Sequence, residues 1–168
     1  TCNGDGNGRI RQPNAASEYG EWYTFWQHLA NAGLIAGNYT GIAGTANQAD
    51  SVENINIPSG KLGNSGWFIN DGADFSGSLF PIALPRHNFR LGGIYNGGSP
   101  IGKLLSPEEM YGIDKKIDDG KPGMGSITST VSTDFYLPDC ATTSVSTTAE
   151  YELTLNTKEC IFIVDAGF

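Results

Sequence analysis

The residues whose types and spacing could do chemistry gather at the start of the chain, in "CNGDGNGRI", Cys2 to Ile10. If Asn3 is the first position of a calcium-binding loop, Asp5 falls at the third, Asn7 at the fifth and Gly8 at the sharp turn. Arg9 then offers its backbone carbonyl. Alternate oxygen donors around a glycine bend suit a hard cation that takes about six to eight oxygen ligands. Asn14, not Glu, stands where the closing ligand belongs, so such a site must also draw on Glu18 or Glu21. The candidate ligand set is therefore Asn3, Asp5, Asn7, Arg9 by its carbonyl, Glu18 and Glu21, and the ion is Ca²⁺. The alternative is that Asp and Asn act as turn formers in a glycine-rich bend.

A second acidic group, Asp114, Asp118 and Asp119, lies in "IDKKIDDG". Asp114 and Asp118 are one helical turn apart and share a face. They read either as a second metal patch or as a solvated face offset by Lys115, Lys116 and Lys121. His28 and His87 are the only histidines. No G-x-S-x-G elbow accompanies them, and "GDGNG" leads to no phosphate-binding Lys. His28, among the aromatics of a helix, reads as a structural histidine, and His87 in "PRHNFR" as a loop residue. No catalytic residue is assigned, and the chain is expected to be non-enzymatic.

The elements that must position these groups are two helices and several short strands. Ser17 is the expected N-cap of the first helix, with Glu18 and Glu21 in its first turn. Trp22, Phe25, Trp26 and Leu29 follow at helical spacing, and Gly33 is the stop. In "LLSPEEMYGIDKKIDDGKPG", Ser106 caps a second helix, Pro107 opens it and Glu109 completes a capping box. Met110, Ile113 and Ile117 are expected on its buried face, and Gly120 ends it. The stretch "GIAGTANQADSVENINIPSGKLGNSGW", Gly41 to Trp67, reads as a long loop with short extended pieces around Ile55–Pro58. Strands are expected at Gly66–Ile69, Phe89–Tyr95, Ile127–Thr133, Tyr151–Leu155 and Ile161–Val164, forming a small antiparallel sheet.

Composition narrows the function classes. The 168 residues fit one domain, 1–168, with 39% hydrophobic and 17% charged residues. The 23 Gly and 8 Pro commit much of the length to turns. A net charge of −8 and the lack of a Lys/Arg stripe argue against a nucleic-acid partner. No apolar run reaches membrane-spanning length. Of three cysteines, Cys140 and Cys160 flank an apparent hairpin, and in an exported protein they are expected to pair. Cys2 is left as a lone thiol.

The order "CNGDGNGRI", "FWQHLANAGLIAGNYTG", "GKLGNSGW", "LSPEEMYGIDKKIDDGKPGMGSI" and the closing cysteine pair before "IFIV" resembles the soluble heads of type IV pilin-like proteins and type II secretion pseudopilins. The resemblance implies an α+β pilin-like head: two short helices on a small antiparallel sheet, many loops, and a Cys140–Cys160 bond pinning the C-terminal loop. It implies a filament subunit lacking an N-terminal spine helix, which would anchor it in the inner membrane before assembly. Its partners would be other pilin or pseudopilin subunits, and its place the periplasm or a cell-surface filament. Calcium sites among related pseudopilins favour Ca²⁺ as the cofactor. A secreted calcium- or glycan-binding module, with tryptophans as a sugar platform, is the alternative; an extracellular hydrolase would require a convergent His–nucleophile or carboxylate cleft.

Overall fold

A computed structural model describes residues 3–11, 20–72, 87–129 and 139–168. Its described elements are α1 (Glu21–Asn31), β1 (Ser65–Asp71), β2 (His87–Gly93), α2 (Pro107–Ile117), β3 (Ile127–Thr128) and β4 (Phe162–Asp165). The strands form one antiparallel sheet in the order β1-β2-β4-β3, on which both helices pack. The chain is thus α+β.

Helix α1 starts later than its composition suggests. Gly20, not Ser17, is the N-cap; it carries extended backbone and no capping side chain, a role glycine fills at little cost. Ser17 lies outside the described residues. The other end follows expectation. Gly33 N–H bonds to Ala30 O and Leu34 N–H to Leu29 O, the paired bonds of a Schellman stop. The aromatic stripe faces inward: Trp22 is 1% exposed, Tyr23 is fully buried, and both meet the Phe68 ring edge-on. Burying an aromatic this completely stabilises the fold by about 1.5–3 kcal/mol. His28, expected among those aromatics, instead lies on the exposed side of the helix.

Helix α2 has the expected capping box, with Ser106 Oγ accepting from Glu109 N–H and Glu109 returning a bond to Ser106 N–H. Its buried face differs. Met110 is fully buried, but so is Asp114, while Ile117 is 67% exposed. A carboxylate occupies the inner position because it has donors to satisfy there, as described below.

The strand register places Trp67, Ile69, Phe89, Leu91, Phe162, Val164 and Ile127 on one face. The other face carries Phe68 and Ile163 together with Asn70, Asn88 and Arg90. All three polar residues are at most 1% exposed. Burial pulls the Arg90 guanidinium down to about 9; it lies over the Phe68 ring and donates to Ser99 Oγ. Two apolar clusters, one under α1 and one around Leu105, Met110 and Tyr151, meet at Trp67.

The strand expected at Tyr151–Leu155 is an isolated bridge from Tyr151 to Ala141. Backbone bonds Thr142 N–H to Glu150 O and Glu152 N–H to Cys140 O complete that short pairing, and turns follow it. Of the expected strand at Ile127–Thr133, Ile127–Thr128 is present, and its part beyond residue 129 lies outside the described residues. The long loop of residues 40–64 is held by two buried side chains. Asp50 accepts from Ala46 N–H and Gly97 N–H, and Asn56 joins Val52, Ile42 and Asp50. Within the expected extended piece around Ile55–Pro58, Ile55 and Asn56 turn, after Asn54 at φ 60°, while Ile57 bridges to Glu53 and Ser59 to Gly66. Among the described residues no helix is long and apolar enough to cross a membrane.

Candidate functional site

The N-terminal loop is folded on its own hydrogen bonds. Asp5 Oδ1 accepts from Asn7 N–H at 3.0 Å, and Asp5 Oδ2 from the Asn7 side-chain amide at 2.6 Å. Asn7 Oδ1 accepts from Arg9 N–H at 2.7 Å, which makes two successive Asx turns. From the first turn of α1, Glu21 reaches back with both oxygens, accepting from Asp5 N–H and Arg11 N–H at 3.1 Å each. Gly4 permits that approach, since a Cβ there would stand 2.6 Å from Glu21 Oε1. Asp5, Asn7 and Glu21 are therefore brought together, Asn3 is exposed nearby, and Glu18 lies outside the described residues. The Arg9 side chain pairs with Asp71, which is 1% exposed at the end of β1. The Asp5, Asn7 and Glu21 oxygens singled out for a cation accept from N–H donors here.

The second acidic group is built differently. Asp114 is fully buried at the end of α2, where Oδ2 accepts from Tyr151 O–H at 2.7 Å and Oδ1 from Gly120 N–H at 3.1 Å. Desolvation raises the Asp114 carboxyl above the usual carboxylate range, against the pull of those two hydrogen bonds. The Tyr151 hydroxyl is raised as well, first by burial and then by the carboxylate it donates to. Asp118 turns toward β3 and accepts from Ser126 N–H and, at 2.8 Å, from Ile127 N–H. Gly125 is required beside it: its φ is +78°, and a Cβ at that position would collide with Asp118 Oδ2. Asp119 accepts from Lys121 N–H at 2.7 Å. One ligand oxygen from each of Asp114, Asp118 and Asp119 lies within 4.8 Å of the others. Each carboxylate keeps lone pairs beyond those given to its donors, so the group can accept a divalent cation.

This turn joins the C-terminal loop to α2. Tyr151 and Glu150 lie between Cys140 and Cys160, which form a disulfide, and both cysteines are fully buried. Glu150 pairs with Lys121. Lys103 pairs with Glu159; burial alone would raise that carboxyl, but the bonds from Lys103 and Thr157 hold it below its usual range. The reading of Asp114 as part of a solvated face is therefore corrected. The missed signal was its partner, a tyrosine 37 positions downstream that only the fold brings near.

An apolar pocket of about 350 Å³ opens between Trp26, Tyr39, Pro58, Trp67 and Phe89. Trp22 and Trp26 are 1% and 5% exposed and Trp67 is half-buried, so the three tryptophans do not form an exposed planar row. His87 is not a loop residue: it opens β2, and its two ring nitrogens meet the main chain of Ile10 and of Phe168. Compared with known proteins, the chain matches no family model, no curated protein and no solved structure.

Proposed function

We propose that this chain is the head of a pilin-like filament subunit, from a type IV pilus or a type II secretion pseudopilus, and that its work is structural rather than catalytic. The observation that carries the reading is the closed C-terminal loop. Cys140–Cys160 shuts it, and Tyr151 and Glu150 fasten it to the α2 turn that contains "IDKKIDDGKPG". These are the stretches on which the resemblance rests. A head stacked against neighbours must keep such a loop fixed, and three separate fastenings do so. In this reading a spine helix drives assembly by burying apolar surface, and the head supplies lateral contacts and the outer face.

Calcium belongs to the same reading. The Asp114–Asp118–Asp119 group suits it better than the N-terminal loop, because it gathers three carboxylates in one place. Thermal melts with EDTA and with added Ca²⁺ test this. A fall in Tm with EDTA, reversed by Ca²⁺ and lost in Asp119→Asn, supports the site; an identical melt in both removes calcium from the proposal. The sequence encoded upstream of Thr1 tests the filament role. A short basic leader followed by an apolar stretch with Glu at about its fifth position is expected from the resemblance, and a precursor with no such stretch would count against it. The alternative of a glycan platform is weakened by the burial of Trp22 and Trp26.

A further inference from the structure

His87 is where three distant parts of the chain meet. Its side chain is 4% exposed at the first position of β2. Nε2 lies 3.2 Å from Ile10 N, and Nδ1 lies 2.8 Å from the main-chain oxygen of Phe168. The imidazole also packs against the Phe168 ring, with centroids 5.0 Å apart.

These partners determine the protonation state. A backbone N–H can only donate, so Nε2 must present its lone pair to Ile10. A main-chain oxygen can only accept, so Nδ1 must carry the hydrogen. Only the neutral Nδ1–H tautomer makes both bonds. A proton added at Nε2 would set two donors against each other at Ile10 and leave the Phe168 bond intact. We propose that His87 is a pH-sensitive clasp on the N-terminal loop: the neutral ring accepts from Ile10 N–H, and protonation at Nε2 breaks that bond.

The surroundings make release local. Ile10 is joined to the sheet by the His87 bond and by its carbonyl, which accepts from Asp71 N–H at 2.9 Å. The side chain of Ile10 packs against the α1 cluster, which also holds the residue in place. Glu21 binds the loop to α1 through Asp5 and Arg11, and neither bond involves His87. The Asp71 N–H bond to Ile10 O and the Arg9–Asp71 pair survive protonation, so the loop stays on the sheet and the change is confined to Ile10 N–H. The C-terminal segment stays, because Ala166 N–H bonds to His87 O at 3.0 Å and the Nδ1–H contact survives protonation.

Among the described residues, the charged groups near His87 come from every element around it. Asp71 is its direct partner across the β1–β2 ladder, Arg9 of the loop pairs with Asp71, and Asp165 of β4 sits opposite the neighbouring Asn88. Asp5 lies further along the loop, joined to Glu21 of α1.

Amide NMR on the whole chain, titrated from about pH 8 to about pH 5 with the His87 ring signal followed in parallel, tests the clasp. The Ile10 amide is expected to shift with the His87 midpoint and to lose exchange protection about tenfold per pH unit below it. The Ala166 amide is expected to keep its protection. The proposal is overturned if Ile10 holds through the His87 transition, if it moves only with a carboxylate midpoint, or if Ala166 opens with it. In His87→Gln, an amide oxygen that does not titrate replaces Nε2, and the Ile10 transition should vanish; its persistence would equally overturn the clasp. Should that variant not fold, the wild-type titration decides alone.

Discussion

Two glycine-rich acidic turns, Asn3–Arg11 and Asp114–Ile127, look alike in composition and are held in opposite ways. In the first, Asp5 and Asn7 spend their oxygens on N–H groups two residues away, at the surface. In the second, Asp114 reaches across the fold to Tyr151, and Asp114 and Asp118 accept from Gly120, Ser126 and Ile127 within the turn itself. Each turn needs a glycine pressed against a carboxylate, Gly4 at Glu21 and Gly125 at Asp118. What differs is burial. The same bond made in water nets about 1 kcal/mol or less, whereas leaving a buried donor without its acceptor costs about 1–3 kcal/mol. The first turn shapes itself, and the second fastens other parts of the molecule.

Four measurements sharpen or break that contrast. The largest effect is expected from Cys140→Ser with Cys160→Ser, which opens the loop fastened to the second turn and should cost about 3 kcal/mol in denaturant unfolding. Asp114→Ala strands the Tyr151 hydroxyl and Gly120 N–H in the interior, and about 2 kcal/mol should be lost. The third effect is smaller and depends on pH. The folded-state pKa of Asp114 is raised by burial, so its favourable contribution is full below the ordinary Asp value of about 3.9 and fades as pH rises through the raised value. Asp114→Asn should therefore gain on the wild type as pH climbs through that window; a constant difference would mean the carboxyl does not titrate differently on folding. Glu21→Gln should be least costly, at about 1 kcal/mol or below, with faster amide exchange confined to Asp5 and Arg11. If Glu21→Gln proved as damaging as Asp114→Ala, the contrast between the turns would be lost.

Local signals were legible in the sequence to the extent that their partners were near. Ser106 and Glu109 form the capping box because both members lie within one turn. The Gly33 stop, the aromatic stripe of α1 and the Cys140–Cys160 bond were likewise readable. What depended on distant partners was not. Tyr151 reads as a strand residue until Asp114 claims its hydroxyl, and Ile117 fits an apolar face that Asp114 in fact occupies. His87 sits beside Pro85 and Arg86 in sequence, with nothing to announce a ring bonded 77 residues away at Ile10. Of the side chains named as ligands, Asp5, Asn7 and Glu21 are brought together, but composition alone does not say whether a carboxylate faces a cation or an N–H.

The filament role is tested most directly by fractionating the producing cells and following the tryptic peptide LLSPEEMYGIDK, Leu104 to Lys115, by mass spectrometry. The account predicts that it travels with the inner membrane and with sheared or detergent-released filaments. Recovery of the peptide only as a freely soluble, unassembled protein would contradict it.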